Sequence, residues 1–271
     1  MDQAASVMSR PSSALYISFF PSLAASPVPL PRQAVFVVAN SLKVADKVLS
    51  AKHGYNLRVV ETLVAARVLA NSLRVYVADK EKITLREVVN RYSDGDNNDE
   101  ELDRVLRFLL ESDELDVLKS KVAQSDNFGV TMDEMVEMSG MPKEMFYEVY
   151  LSGVESGCRG FLELTRFPNI AFLVEATHFQ LYKRAKHVLS EARRVLQFRK
   201  ACLSGSDGIV AEKEVLNTLG RLMNDSQESC STLFECSCPE LDDLTRLAKE
   251  AGALGSRLTG WFLFMHRNSR G

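Results

Sequence analysis

The sequence lacks both a disulfide-type pattern of cysteines and a long apolar run. Its five cysteines are an odd number in a chain of 271 residues, and their spacing fits no disulfide framework. Such usage is typical of a reducing compartment, so a cytoplasmic location is expected. No apolar stretch approaches the roughly 20 residues that a membrane-spanning helix needs, and no membrane segment is predicted.

Three of the cysteines lie close together in the sequence, at Cys230, Cys236 and Cys238. A structural zinc site usually draws on a Cys-x2-4-Cys pair that is followed by further cysteine or histidine ligands. Here a Cys-Ser-Cys triplet stands without such a second pair. The spacing therefore predicts no metal site.

The N-terminus loosely imitates a signal peptide, because Arg10 precedes the apolar residues 14–20. Two features argue against secretion: Asp2 stands where a basic region is expected, and Pro21 interrupts the apolar stretch. The apolar residues also alternate with others, which is typical of a strand.

Neither sign of charge dominates the chain. The 33 lysines and arginines are nearly balanced by 36 aspartates and glutamates, which gives a formal net charge of −3. A nucleic-acid-binding domain usually has a clear basic excess, so no nucleic-acid partner is predicted. The basic cluster at residues 183–187 is interpreted as a solvated helix face.

Two strands are predicted near the N-terminus. Alternating apolar residues predict the first over residues 13–20. The prolines that follow, at positions 21, 27, 29 and 31, predict a turn. The continuous apolar run VFVVA at residues 35–39 predicts a second strand that is buried on both faces.

Helical spacing of apolar residues accounts for most of the remaining chain. In the charged segment of residues 80–150, Thr131 with Glu134 three residues on predicts a capped helix start. Pro239 predicts the first turn of another helix, which Gly252 ends. Further helices are predicted over residues 56–73, 180–200 and 214–233. The pattern indicates a helix-rich α+β protein.

Three motifs occur in order along the chain. The first motif starts in the N-terminal residues and passes through VFVVANS to YNLRVVE at residues 55–61. The second is LYKRAKHVLSEARRVLQF at residues 181–198, and the third joins ECSCPEL at 235–241 to GSRLTG at 255–260. In this order they resemble galactokinases of the GHMP kinase superfamily, especially the eukaryotic ones. Their joint occurrence is far more specific than any one of them alone.

The resemblance implies a GHMP kinase-like two-domain α+β fold that is incomplete, helix-rich and left with remnants of antiparallel or mixed sheet. Residues 1–75 would end the N-terminal catalytic region, and residues 76–175 would form a charged helical insert. Residues 176–260 would be the C-terminal domain, and residues 261–271 a divergent tail. The stretch at residues 156–173 departs from the family pattern.

The resemblance also implies transfer of the ATP γ-phosphoryl group, with Mg²⁺, to the C1 hydroxyl of galactose. Asp2 matches the family's aspartate, and a carboxylate can accept the hydroxyl proton as the bond to phosphorus forms. Tyr55 matches a tyrosine beside the sugar, where it offers an apolar face and one hydroxyl. A frayed or helix-capping Asp2 and a structural Tyr55 are the alternatives. Arg58 and Glu61 are interpreted as charges that support the fold.

Gly255, Ser256, Thr259 and Gly260 match the family's third signature, a loop beside the phosphate and the sugar. Glycine allows backbone amides to approach a ligand or a neighbouring loop closely. A plain turn between a helix and a strand is the alternative interpretation of GSRLTG.

The family's other two signatures, which bind the sugar and the ATP phosphates, are expected upstream of Met1. The third signature departs from the family sequence after Gly260. The resemblance therefore predicts a fragment, truncated at both ends, that does not phosphorylate galactose by itself. Two further functions stay open. One is a regulator that binds galactose and ATP and sequesters a transcriptional repressor, and only this alternative implies a protein partner. The other is an N-acetylgalactosamine kinase.

Overall fold

The computed structural model describes residues 2–43, 54–96, 98–121, 129–151, 174, 176–204, 209–258 and 263–267. Its strands are β1 (Ser13–Ser18), β2 (Ala24–Pro29), β3 (Ala34–Val37), β4 (Gly255–Arg257) and β5 (Leu263–Arg267). Its α-helices are α1 (Asp2–Met8), α2 (Tyr55–Ser72), α3 (Leu85–Tyr92), α4 (Asp99–Glu111), α5 (Met132–Ser139), α6 (Lys143–Phe146), α7 (Leu181–Leu203), α8 (Ile209–Ser229) and α9 (Pro239–Glu250). The predicted helix-rich α+β class is confirmed.

The chain divides into two compact units that are discontinuous in sequence. One unit, called the loop unit here, consists of residues 1–44, 97–106 and 189–271. The other, called the helical unit, consists of residues 45–96 and 107–188.

The strands of the loop unit form two antiparallel sheets. One sheet pairs β1 with β2, and the other has the order β3-β5-β4. Part of the core of this unit lies where Val28, Cys202, Leu219 and Met223 pack together. Tyr16, Phe36 and Phe198 are partly buried against that cluster.

The predicted proline-rich turn is only partly right, because Pro21 lies between β1 and β2 whereas Pro27 and Pro29 lie within β2. Pro29 is opposite Ser13 and Pro27 is opposite Leu15 in the register of β1 and β2. The neighbouring pair is hydrogen-bonded through the Leu30 N–H and the Ser12 carbonyl, 3.0 Å apart. Hydrogen-bonded pairs alternate along an antiparallel ladder, so both prolines occupy positions whose nitrogen faces away from β1.

The expectation that VFVVA is buried on both faces is also wrong. Strand β3 is an edge strand that pairs with β5 alone. Phe36 contacts the core, whereas Val37 is 46% exposed and Val38 is 69% exposed. A continuous apolar run is typical of strands that are buried on both faces. Here the run occurs in an edge strand with one covered face, so it was not sufficient evidence for burial on both faces.

Helix α2 is the centre of the helical unit. It packs against α3, α5 and a 3-10 helix at Asp113–Leu118. Its side chains are buried nearly all round, including Val60, Val64 and Leu69. A helix that is apolar on every side is typical of an interior position.

Sequence signals for helix ends are largely confirmed. The Thr131 hydroxyl and the Glu134 carboxylate form a reciprocal capping box at α5. Pro239 is in the first turn of α9, and Gly252 has a left-handed φ of 96° just beyond its end. The bounds of α2 and α7 agree with the predicted ranges within three residues, whereas α8 begins five residues earlier than predicted.

The basic cluster at residues 183–187 is not a solvated face throughout, which corrects that interpretation. Arg184 is 1% exposed and His187 is 8% exposed. Arg184 Nε donates a hydrogen bond to Glu61 Oε2 at 2.6 Å, and the Glu61 side chain is fully buried. A buried arginine is tolerated here because a carboxylate compensates its charge. The expectation that Glu61 supports the fold is confirmed.

Candidate functional site

Helix α8 and strand β4 approach each other through two glycines in the loop unit. A β-carbon on Gly255 would lie 2.3 Å from the Gly220 carbonyl oxygen and 2.6 Å from the Gly220 α-carbon. A β-carbon on Gly220 would lie 2.5 Å from the Leu254 carbonyl oxygen. Since no side chain fits at either position, glycine on both elements lets the helix and the strand backbone touch.

Asn224 of α8 holds the start of the GSRLTG segment with both ends of its amide. Its Nδ2 donates to the Leu254 carbonyl at 3.1 Å, and its Oδ1 accepts from the Ser256 N–H at 3.1 Å. Ser256 is fully buried, and its hydroxyl finds no hydrogen-bond partner in the part of the chain that the structure describes.

Gln227, one turn further along α8, holds the next part of the segment. Its Oε1 accepts from the Leu258 N–H at 2.7 Å, and its Nε2 donates to Asp242 Oδ1 at 2.8 Å. The Ser237 hydroxyl donates to the same oxygen at 2.7 Å, and the Ser231 hydroxyl donates to Asp242 Oδ2 at 3.1 Å. One carboxylate on α9 thus orients the glutamine that binds the loop backbone.

These contacts connect the two halves of the third motif. The ECSCPEL segment supplies Ser237 and leads directly to Asp242, and GSRLTG receives the resulting hydrogen bonds. The amides of Ser256 and Leu258 are donors to α8 side chains, so neither of them is available to a ligand. The part of the loop after Leu258 includes the predicted residues Thr259 and Gly260, which lie outside the described residues.

The Arg257 side chain forms an ion pair with Glu191 of α7. Arg257 Nη1 lies 3.5 Å from Glu191 Oε2, and Arg194 Nε donates to Glu191 Oε1 at 2.7 Å. The Ser226 hydroxyl also donates to Glu191, at 2.9 Å. Burial raises the pKa of Glu191, but the positive charges of Arg257 and Arg194 and the two hydrogen bonds together bring that pKa below its usual value of 4.5.

The lowered pKa of Glu191 predicts acid sensitivity in the loop unit. The stability that its carboxylate contributes is fully present above about pH 4.5 and is lost as the pH falls through the lower folded-state pKa. Glu191→Gln should therefore destabilise the chain near neutral pH and flatten the loss of stability below pH ~4.5. The measurement is the urea midpoint at a series of pH values. Glu250→Gln, in an exposed pair with Arg246, is the control and should leave the shape of the curve unchanged.

An apolar cavity of about 230 Å³ adjoins this charged group. Its polar edge contains Glu191, Arg194, Ser226 and Arg257. Its apolar wall includes Leu15, Tyr16, Val28, Phe36, Phe198, Leu222 and Met223. It is smaller than the roughly 300–1,000 Å³ of most small-molecule pockets, so we do not assign it to a nucleotide.

The contact between the two glycines gives a stability prediction. Gly255→Ala should lower the free energy of unfolding by about 1–3 kcal/mol, because the new methyl group overlaps backbone atoms that must shift. Far-UV circular dichroism in urea measures this change. Gly129→Ala is the matched control, since its nearest obstruction is the mobile end of the Gln180 side chain. An equal effect of both substitutions would contradict a rigid contact at Gly255.

The predicted site residues that the structure describes belong to three different elements. Tyr55 is the first residue of α2 in the helical unit, and its side chain is 76% exposed. Asp2 begins α1 in the loop unit, and its side chain lies outside the described residues. Gly255 and Ser256 are adjacent and buried in β4.

The sequence reasoning missed Asn224, Gln227 and Asp242, which position the loop. Their side chains act across about 30, 31 and 15 residues of sequence. Short spacing signals do not reach that far. The one available clue was Asp242, which follows the ECSCPEL motif directly.

No group of three or more His, Cys, Asp or Glu side chains within the described ranges is arranged to hold a metal ion. None of the described helices is long and apolar enough to cross a membrane.

The chain is similar to one protein family and to several known galactokinases. Residues 210–260 match the family described as GHMP kinases C terminal. The chain is 36% identical over 279 residues to the galactokinase of Saccharomyces cerevisiae, covering 96% of this chain and 48% of the relative. It is 34% identical over 270 residues to the galactokinase of Dictyostelium discoideum, covering 96% and 47%. The galactokinase of Candida parapsilosis is 33% identical over 268 residues, covering 96% and 48%.

The chain therefore spans about half the length of the curated relatives that it matches. The similarity extends along almost all of its residues, and the family match includes α8, α9 and the GSRLTG loop that they hold. The chain is thus similar to galactokinases over 96% of its length, and its residues 210–260 match the C-terminal family of the GHMP kinases.

Proposed function

We propose that this chain supplies part of the catalytic apparatus of a galactokinase, which phosphorylates the C1 hydroxyl of galactose. The observation that carries the proposal is the similarity to galactokinases over 96% of the chain. The loop geometry supports it, because Gly220, Asn224 and Gln227 hold the GSRLTG backbone in one arrangement. A phosphoryl-transfer enzyme depends on such fixed positioning, since most of its catalysis is orientation and electrostatics.

The proposal gives each predicted site residue a role. ATP supplies the phosphoryl group as a substrate. Asp2 accepts the proton of the sugar hydroxyl, a task for which a carboxylate is suited. Tyr55 presents an exposed ring and hydroxyl to the sugar, as an amphipathic side chain can. Thr259 and Gly260 follow Leu258, which Gln227 binds, and the proposal assigns them to the phosphate and the sugar.

The described residues do not by themselves fit a nucleotide or Mg²⁺. The amides of Ser256 and Leu258 already donate to Asn224 and Gln227, so the described part of the loop offers no cradle for phosphates. No described acidic cluster fits a metal ion either. We therefore derive no step through Mg²⁺, and we propose that the chain acts only together with residues that bind ATP. The setting that we propose is the cytoplasm.

A hybrid enzyme tests this function. In the hybrid, this chain replaces the aligned segment of the Saccharomyces cerevisiae galactokinase, so that the relative supplies the remaining half. The hybrid should release ADP in a galactose-dependent manner at about 1 per second or faster, the range of typical kinases. The 271-residue chain alone should be inactive in the same coupled assay, because it offers no described phosphate cradle.

The same assay separates the alternatives. Galactose is the proposed substrate because the relatives compared above are galactokinases. Faster turnover of N-acetylgalactosamine than of galactose would favour the related kinase. A hybrid that folds and binds both galactose and ATP without turnover would favour a sensor and contradict the proposal.

A further inference from the structure

The turn between α8 and α9 brings two thiols together in the loop unit. Helix α8 ends in a π-helical turn at Cys230–Phe234, and Glu235 then adopts a left-handed φ of 55°. This reversal returns the backbone to its start, so that the Cys236 N–H donates to the Cys230 carbonyl at 3.0 Å. Cys236 Sγ lies 3.6 Å from the same carbonyl oxygen, on the Cys230 side of the turn.

The backbone hydrogen bond limits the separation of the two residues. Standard bond lengths place the Cys230 and Cys236 α-carbons at most about 6.9 Å apart, and closer for any bent arrangement of the linking atoms. Disulfide-bonded cysteines usually have α-carbons roughly 4.4–6.8 Å apart. The α-carbon separation is therefore compatible with a disulfide, and the position of Cys236 Sγ beside the Cys230 carbonyl places its thiol close to Cys230.

The two thiols differ in access. Cys230 is buried, with 4% of its surface exposed, whereas Cys236 is exposed. The hydrogen bond to Cys236, followed by burial, raises the pKa of the Cys230 thiol well above its usual value. An exposed thiol that meets a reagent first and a buried thiol held beside it are the parts that a disulfide exchange needs.

We propose that Cys230 and Cys236 form a reversible disulfide when the protein meets a low-molecular-weight disulfide such as oxidised glutathione. Cys236 loses its proton and attacks one glutathione sulfur, which breaks the glutathione S–S bond and releases one glutathione thiol. Cys230 then loses its proton and attacks the Cys236 sulfur, which releases the second glutathione thiol. Two protein thiols are oxidised, and one glutathione disulfide is reduced to two thiols.

The site is connected to the loop described above. Ser231 and Ser237 are the residues that follow the two cysteines, and both donate to Asp242. Asp242 in turn orients Gln227, which binds the Leu258 N–H. The disulfide would fix the turn that presents both serines to this carboxylate.

Peptide mapping of the native full chain tests the proposal. The folded chain is equilibrated with oxidised glutathione, its remaining thiols are alkylated, and it is digested after glutamate. Cleavage after Glu228, Glu235 and Glu240 separates residues 229–235 from residues 236–240. The expected product is these two peptides joined by a disulfide, with Cys238 alkylated, and its disappearance when reduced glutathione is added in excess.

Other outcomes would overturn the proposal. These are a bridge between Cys236 and Cys238 inside the shorter peptide, a stable glutathione adduct on Cys236 in the unmutated chain, or oxidation only after denaturation. Cys230→Ser should convert the product to a persistent glutathione adduct on Cys236, because the second thiol is gone. Cys238→Ser and Cys202→Ser are matched controls and should still form the bridge. The unmutated chain decides the question even if a variant fails to fold.

Discussion

Glu61→Leu and Arg184→Met are each expected to lower the free energy of unfolding by about 3–5 kcal/mol, because each removes the nearest counter-charge of a buried ion. Arg184 Nε donates to Glu61 Oε2 at 2.6 Å, and the two side chains are 1% and 0% exposed. Glu61 Oε1 also accepts from the backbone N–H of Gln180 at 2.7 Å. Gln180 directly precedes α7, so this carboxylate also compensates the positive end of that helix.

The double variant separates the charge from the packing. Removing both charges leaves neither member of the buried pair without its partner, so Glu61→Leu with Arg184→Met should cost clearly less than the sum of the single changes. It should still cost something, because the Gln180 N–H loses its acceptor. Urea unfolding at neutral pH gives all three values. Arg246→Met, in an exposed pair with Glu250, is the control and should change stability only slightly.

Additive effects of the two single changes would contradict a coupled buried pair. The same result would remove the explanation for two of the sequence motifs. YNLRVVE contains Glu61, LYKRAKHV contains Arg184, and the structure brings these two residues into contact. Both motifs thus contribute to folding of the helical unit, whatever Tyr55 does at the start of the first one.

The helices could be predicted from the sequence because their signals are local. Apolar spacing located α2 and α7, and the Thr131–Glu134 pair and Pro239 located two helix starts. The strand partners could not be predicted in this way. Residues 34–37 pair with residues 264–267, more than two hundred positions away, and no local pattern specifies such a pairing.

In the candidate site, too, local sequence signals could be identified and long-range contacts could not. Glycine at position 255 and the GSRLTG motif were identifiable, because a motif is a local signal. The glycine at position 220, Asn224 and Gln227 lie on a helix whose sequence gives only its apolar stripe. That Arg184 is buried also escaped prediction, because a run of basic residues is usually solvated and only the distant Glu61 makes burial tolerable here.

Asp2 is the predicted residue with the largest expected effect on catalysis. In the hybrid galactokinase, Asp2→Asn should lower kcat by about 100- to 10,000-fold, the usual contribution of a positioned general base. Asparagine keeps the size of the side chain and removes its ability to accept the hydroxyl proton. Because proton acceptance acts in the transition state, KM for ATP should change little. Steady-state ADP release at saturating galactose measures both constants.

Asp243→Asn is the matched control for Asp2. It makes the same chemical change at an exposed position of α9, where Asp243 lies 3.2 Å from Arg246. This control should leave kcat within about threefold of the unmutated hybrid. A comparably small effect of Asp2→Asn in a folded, active hybrid would place proton acceptance on another group. Asparagine caps a helix about as well as aspartate does, so a large fall in kcat with Asp2→Asn would separate a catalytic Asp2 from one that merely caps α1. Asp2→Ala tests the capping role, because loss of a helix cap lowers stability by about 0.5–2 kcal/mol and would lower the melting temperature of that variant.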